Sequence, residues 1–134
     1  MNKNMRLSIA DFYTFSGRIG RLKFISGIST ILMLSTIYYF AGLYFKLFSL
    51  ASEKGHILIA LPTLFFIIAV IPLFIRRLHD LNTHGGWVAT FIVCLAFLNT
   101  NIWAAIYAGL GLMILLLKKG NPDENEWGVP NNAN

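Results

Sequence analysis

Apolar residues run down this chain in three long blocks, and charge, Lys23 apart, is confined to the chain before, between and after them. Residues 22–45 form the first block, interrupted only by Lys23 near its start, and residues 57–75 form the second, without a charge. About 20 apolar residues in helical form cross a hydrocarbon core about 30 Å thick, so each block predicts one transmembrane helix. The third block, residues 81–117, holds no Asp, Glu, Lys or Arg across 37 positions. One straight helix of that length would run about 55 Å at 1.5 Å per residue, far beyond a single crossing. Asn99-Thr100-Asn101 is the expected break, because asparagine competes for local backbone hydrogen bonds and favours turns. The pattern predicts an all-α integral membrane domain over residues 1–134. It is a four-helix bundle, with transmembrane helices at 22–45, 57–75, 86–100 and 101–117. The last two are short and need a tight hairpin or a locally thinned bilayer.

Shorter signals flank the blocks. Met5, Ile9, Phe12 and Tyr13 follow helical spacing, with Ser8 as N-cap and Asp11 in the first turn. They predict a helix over residues 5–16 lying in the headgroup plane, ended by Gly17. Residues 118–134 read as a polar tail, acidic through Asp123, Glu124 and Glu126. Pro62 and Pro72 fall inside the second block and each removes a backbone donor, a loss that membrane helices tolerate when neighbours satisfy the freed carbonyl. Ala105 and Gly109 have the small-xxx-small spacing that lets helices approach closely, here expected within the bundle. Trp87, Trp103 and Trp127 stand near boundaries, where indole suits the lipid–water interface.

Composition and charge add location and orientation. Hydrophobic residues make up 56% of the chain and charged residues 13%, against about 25% charged in soluble domains. The formal net charge is +5. Lys3, Arg6, Arg18, Arg21 and Lys23 precede the first span, Arg76 and Arg77 follow the second, and Lys118 and Lys119 follow the fourth. Only Lys46 and Lys54 fall on the other side. The positive-inside rule then puts both termini in the cytoplasm. The basic residues are scattered at helix ends, so no nucleic-acid partner is expected. The first block is too long for a signal-peptide core and lacks a small-residue cleavage site, so it is expected to stay as an anchor. The single cysteine, Cys94, reads as an apolar filler.

Arg76-Arg77-Leu78-His79-Asp80 is the densest cluster of charge and reads as a cytoplasmic turn between spans. A carboxylate at a membrane helix end is expensive unless paired, so Asp80 is expected to bond Arg18, Arg21, Arg76 or Arg77 and order the turn. Gly17 and Gly20 free the backbone for a sharp bend that aims Arg18 and Arg21 along one surface. His79, Asp80 and His84 carry ligand atom types without a recognised zinc spacing, so neither metal nor cofactor is expected. His79 with Asp80 has the groups for acid–base chemistry but no accompanying nucleophile or phosphate loop. No acidic residue lies in a span and no repeat is visible, which speaks against a transporter.

Gly17-Arg18-Ile19-Gly20-Arg21-Leu22-Lys23-Phe24, Arg76-Arg77-Leu78-His79-Asp80 through Gly85 and Trp87, and Gly120 to Asn125-Glu126-Trp127-Gly128-Val129-Pro130 together resemble the domain of unknown function 805 family. These are small bacterial inner-membrane proteins. The resemblance covers roughly residues 12–130. After Asp80 such chains usually read glycine, a basic residue, serine, glycine and two tryptophans, where this one has Asn82, Thr83, His84, Gly85, Gly86 and Trp87. Lys23 stands where an acidic residue is common, and Trp127 where another aromatic is usual. The resemblance implies a bacterial inner-membrane location and says that the three segments belong together. It implies no activity. It adds Asn125 to the polar network of Arg18, Arg21, Arg76, Arg77, His79 and Asp80. It also adds Gly85, Trp87, Gly128 and Pro130 to the turn and interface positions Gly17 and Gly20.

The sequence thus favours a binding or scaffolding module over an enzyme. Its arginine-rich cytoplasmic face would engage membrane lipids through anionic headgroups, or a membrane or cytoplasmic protein partner. The alternative is a small membrane enzyme or transport accessory acting on a lipid-linked phosphate, with Arg76, Arg77, His79 and Asp80 as its site.

Overall fold

Gly20, extended at φ −70° and ψ 166°, turns the chain into the first long helix without a side-chain cap. A computed structural model describes residues 9–47, 53–97 and 100–130. Four helices are present among them: α1 (Arg21–Tyr44), α2 (Glu53–Asp80), α3 (Trp87–Ala96) and α4 (Ile102–Leu117). Each ends for a local reason. Past α1, Lys46 takes φ +53°, its amide donates to the Leu43 carbonyl at 3.1 Å, and the Leu47 amide donates to that of Gly42 at 2.9 Å. This is a Schellman close, with a lysine placed where the negative end of the helix dipole welcomes it. The same geometry closes α2. Asn82 takes φ +58°, its amide bonds the His79 carbonyl at 3.1 Å, and the Thr83 amide bonds that of Leu78 at 2.9 Å.

The charge cluster is therefore not a turn. Arg76 to Asp80 form the last helical residues of α2, which runs unbroken through Pro62 and Pro72, and the chain turns only after Leu81. The physical reason is the cap: Asn82 accepts the left-handed backbone that a Schellman close requires. Asn101 does interrupt the third apolar block. It caps α4, its Oδ1 accepting the Trp103 amide at 2.9 Å. Asn99 lies outside the described residues.

α1 and α2 pack antiparallel. Ile19 donates to the Arg76 carbonyl at 3.2 Å, and at the far end the Tyr38 hydroxyl donates to the Leu58 carbonyl. Gly27 brings the helices close, since a Cβ there would sit 2.8 Å from a Leu73 methyl. Edge-on aromatic pairs continue the contact sideways, Phe24 to Phe74 at 5.3 Å and Phe74 to Phe91 at 5.8 Å, and Phe91 meets Tyr107 of α4 at 5.8 Å. The buried core (Ile19, Phe24, Leu73, Leu78, Phe91 and Leu115 among them) gathers toward the end where Asp80 lies.

Two helices, Arg21–Tyr44 and Ile57–Asp80, are long and apolar enough to cross a membrane, with mean hydropathy of 1.6 and 2.8. Only 17% and 18% of those apolar windows are buried inside the protein, the reverse of a soluble core helix. Four spans are expected from the sequence, but α3 has 10 residues, about 15 Å of helix, and α4 has 16. The expected interfacial helix over residues 5–16 also differs. Met5 and Ser8 lie outside the described residues, and the rest is a single 3-10 turn, Ile9–Phe12, followed by irregular chain. It lies against α2: the Tyr13 ring is 6.4 Å from that of Phe65, and Phe12 rests on the core.

Candidate functional site

Three segments distant in sequence meet at the end of α2: the turn before α1, the last turn of α2, and the tail after α4. Asp80 is the centre, 1% exposed. Its Oδ1 accepts from Arg18 Nε at 3.3 Å and Nη2 at 3.2 Å, and its Oδ2 accepts from Arg77 Nη1. Arg77 sits one helical turn before Asp80, the spacing at which side chains share a face. Arg18 is delivered from outside the helix by the turn at Gly17, whose φ of +83° is the left-handed backbone that favours glycine.

Both guanidinium groups are buried, Arg18 at 5% exposure and Arg77 at 0%, and two cations share one carboxylate. The remaining donors are taken up by main-chain carbonyls. Arg18 Nη1 donates to Asp123 at 2.7 Å and Gly128 at 3.1 Å, and Nη2 donates to Asn121. With the two bonds to Asp80, all five N–H donors of an arginine have an acceptor. Arg77 Nε donates to the Leu115 carbonyl at 2.8 Å, Nη1 also reaches that of Ile19 at 3.5 Å, and Nη2 donates to Lys118. Leu115 and Lys118 belong to the last turn and C-cap of α4. Arg77 thus places positive charge on orphan carbonyls at the negative end of that helix dipole.

The backbone completes the clasp. The Asn121 amide donates to the Asp80 carbonyl at 2.7 Å, and Asn125 Nδ2 donates to that of His79 at 2.9 Å. Asn125 also accepts the Trp127 amide at 3.0 Å and exchanges backbone bonds with Gly128, which turns at φ +114°. The His79 ring stacks on Trp127, centroids 4.6 Å apart at 7°, while its Nδ1 lies 3.2 Å from the Gly17 carbonyl oxygen. Gly120 is required by space, because a Cβ there would overlap the Asp80 carboxylate. Gly85 is required for the same reason: a Cβ would fall 2.7 Å from Ile75 and 3.0 Å from His79 Nε2.

Arg18, Arg77, His79, Asp80, Asn125, Gly17, Gly20, Gly85 and Gly128 are therefore brought together, Gly20 as the buried N-cap of α1. Arg21 and Arg76 stand at the margin. Arg21 Nη1 makes a long bond, 3.4 Å, to the Leu117 carbonyl, and Arg76 contributes its own carbonyl to Ile19. Trp87 is half-exposed at the start of α3 and Pro130 half-buried at the end of the described tail. Gly120, Asn121 and the carbonyl acceptors also belong to the site, although residue type assigns them no role in it. A carbonyl leaves no mark on residue type, although Gly120 was visible as the head of the third motif. Among the described residues no group of three His, Cys, Asp or Glu is placed to hold a metal ion. A family model described as "Protein of unknown function (DUF805)" matches residues 12–129. No curated protein and no solved structure matches the chain.

Proposed function

The chain belongs to the DUF805 family of proteins of unknown function, and from that premise we propose that it is a bacterial inner-membrane binding or scaffolding module whose cationic cytoplasmic face engages anionic lipid headgroups. In this reading α1 and α2 cross the bilayer. α3 and α4 enter as a helical hairpin from the cytoplasmic side, making four membrane helices with both termini cytoplasmic. The asymmetry of cations supports the orientation: Arg18, Arg21, Lys23, Arg76, Arg77, Lys118 and Lys119 gather at one end, and Lys46 lies at the other. The bond between the Asn121 amide and the Asp80 carbonyl supports an even number of crossings. It keeps the two ends of the α3–α4 hairpin on one side however deep the hairpin reaches.

One observation carries the functional reading. The clasp consumes Arg18, Arg77 and Asp80 internally, yet leaves Lys118 and Lys119 exposed at its rim. The buried arginines act as structure, and the rim lysines act as contact with the surface, where each basic residue near an anionic leaflet contributes about 1 kcal/mol. The enzymatic alternative would draw on His79 with Asp80, but both Asp80 oxygens are held by guanidinium groups, and the buried His79 ring stacks on Trp127 with Nδ1 against the Gly17 carbonyl. The test is lipid carried through gentle extraction. The purified protein is expected to be enriched in anionic phospholipid over the bulk membrane, and a Lys118→Gln, Lys119→Gln variant is expected to lose that enrichment. Equal lipid composition in protein and membrane would defeat the reading.

A further inference from the structure

Beside the clasp, a groove of about 350 Å³ opens between α3, α4 and the end of α2. Leu78, Phe91, Leu110 and Ile114 give it an apolar wall, Tyr107 stands at one end, and Trp87 and Lys118 stand at the other. From Lys118 to Tyr107 the helix rises about 16 Å, close to the depth of one leaflet, about half of a 30 Å hydrocarbon core. Gly111 shapes the wall, since a Cβ there would collide with the Phe91 ring. A similar groove between α1, α2 and α3, about 360 Å³, is lined without a charged residue. Nothing there selects an occupant.

The mouth of the first groove does select one. Lys118 lines it, and beside it Trp87, the first residue of α3, offers an indole ring of the kind that suits a lipid–water boundary. The opposing charge would be the C-terminal end of α4, and Arg77 covers it by bonding the Leu115 and Lys118 carbonyls. Cationic mouth and apolar wall together match a molecule with an anionic head and a long hydrocarbon chain. We propose that this groove holds one acyl chain of an anionic phospholipid, with the lipid phosphate against Lys118. The inference rests on the headgroup reading above and gives it a specific seat.

The experiment is native mass spectrometry of delipidated protein in mild detergent, given equal amounts of phosphatidylglycerol and phosphatidylcholine. One phosphatidylglycerol per chain is expected, favoured by about fivefold, the effect of one lysine near an anionic group. Ile114→Trp fills the groove while leaving every cation in place, and is expected to abolish that binding. Met113→Trp, on α4 but outside the groove lining, is expected to retain it. Retention by Ile114→Trp at the wild-type level overturns the groove even if Lys118→Gln removes the preference, and the headgroup reading then stands alone. Binding that Ile114→Trp abolishes but that shows no preference for phosphatidylglycerol overturns the anionic assignment. Absence of any retained lipid overturns the proposal outright.

Discussion

At the scale of single residues, Asp80 separates what attracts from what stabilises. Taking a carboxylate and two guanidinium groups out of water is expensive, and their mutual attraction offsets this only when the remaining donors find acceptors. Arg18 and Arg77 find them in six main-chain carbonyls, of Ile19, Leu115, Lys118, Asn121, Asp123 and Gly128. Removing the negative charge would leave two buried cations facing each other. Asp80→Asn is expected to lower stability by about 3–5 kcal/mol, measured by thermal unfolding in detergent, and an unchanged midpoint would mean that the clasp does not form. The need for a partner at Asp80 is legible from residue type and position. Which arginines answer it is not, because four candidates have the same chemistry. Arg18 and Arg77 are selected by the turn at Gly17 and by the register of the last helical turn.

At the scale of elements, the helices are written in the hydrophobic pattern but their ends are written in caps. α1 begins within a residue of its apolar block, and α4 begins at the asparagine expected to break the third block. α2 runs five residues past its block, to Asp80, because Asn82 rather than the charge cluster supplies the stop. Two glycines of α4 look alike in sequence and behave differently in space. Nothing lies within 4 Å of a Cβ built on Gly109, whereas one on Gly111 meets the Phe91 ring. Gly109→Ala is expected to be neutral or to stabilise by up to about 1 kcal/mol through helix propensity. Gly111→Ala is expected to destabilise by about 1–3 kcal/mol through overpacking. Equal unfolding midpoints for the two variants would contradict the α3–α4 contact. The Ala105–Gly109 spacing expected to seat a neighbouring helix within the bundle leaves Gly109 open on the outer side of α4.

At the scale of the whole molecule, the clasp acts as a staple between the start and the end of the chain. Arg18 spans more than a hundred residues to the tail, so the two ends of the fold are held at one face. That arrangement leads to a topology prediction. A reporter active only in the cytoplasm is expected to function when fused after Pro130, and a reporter active only outside it is expected to function after Lys46. The reverse result would remove the basis for a cytoplasmic cationic face.

The sequence by itself determined the apolar segments and where charge interrupts them, since both are properties of composition along a line, and two of those segments are long and apolar enough to cross a membrane. Only the tertiary structure decided that Arg18 and Arg77 are consumed rather than presented, that α3 is a helix of only 10 residues, and that residues 9–13 lie against α2. Those outcomes depend on which carbonyls and side chains come within about 3 Å of one another. A carbonyl belongs to every residue, so its use as a partner leaves no trace until the chain is folded.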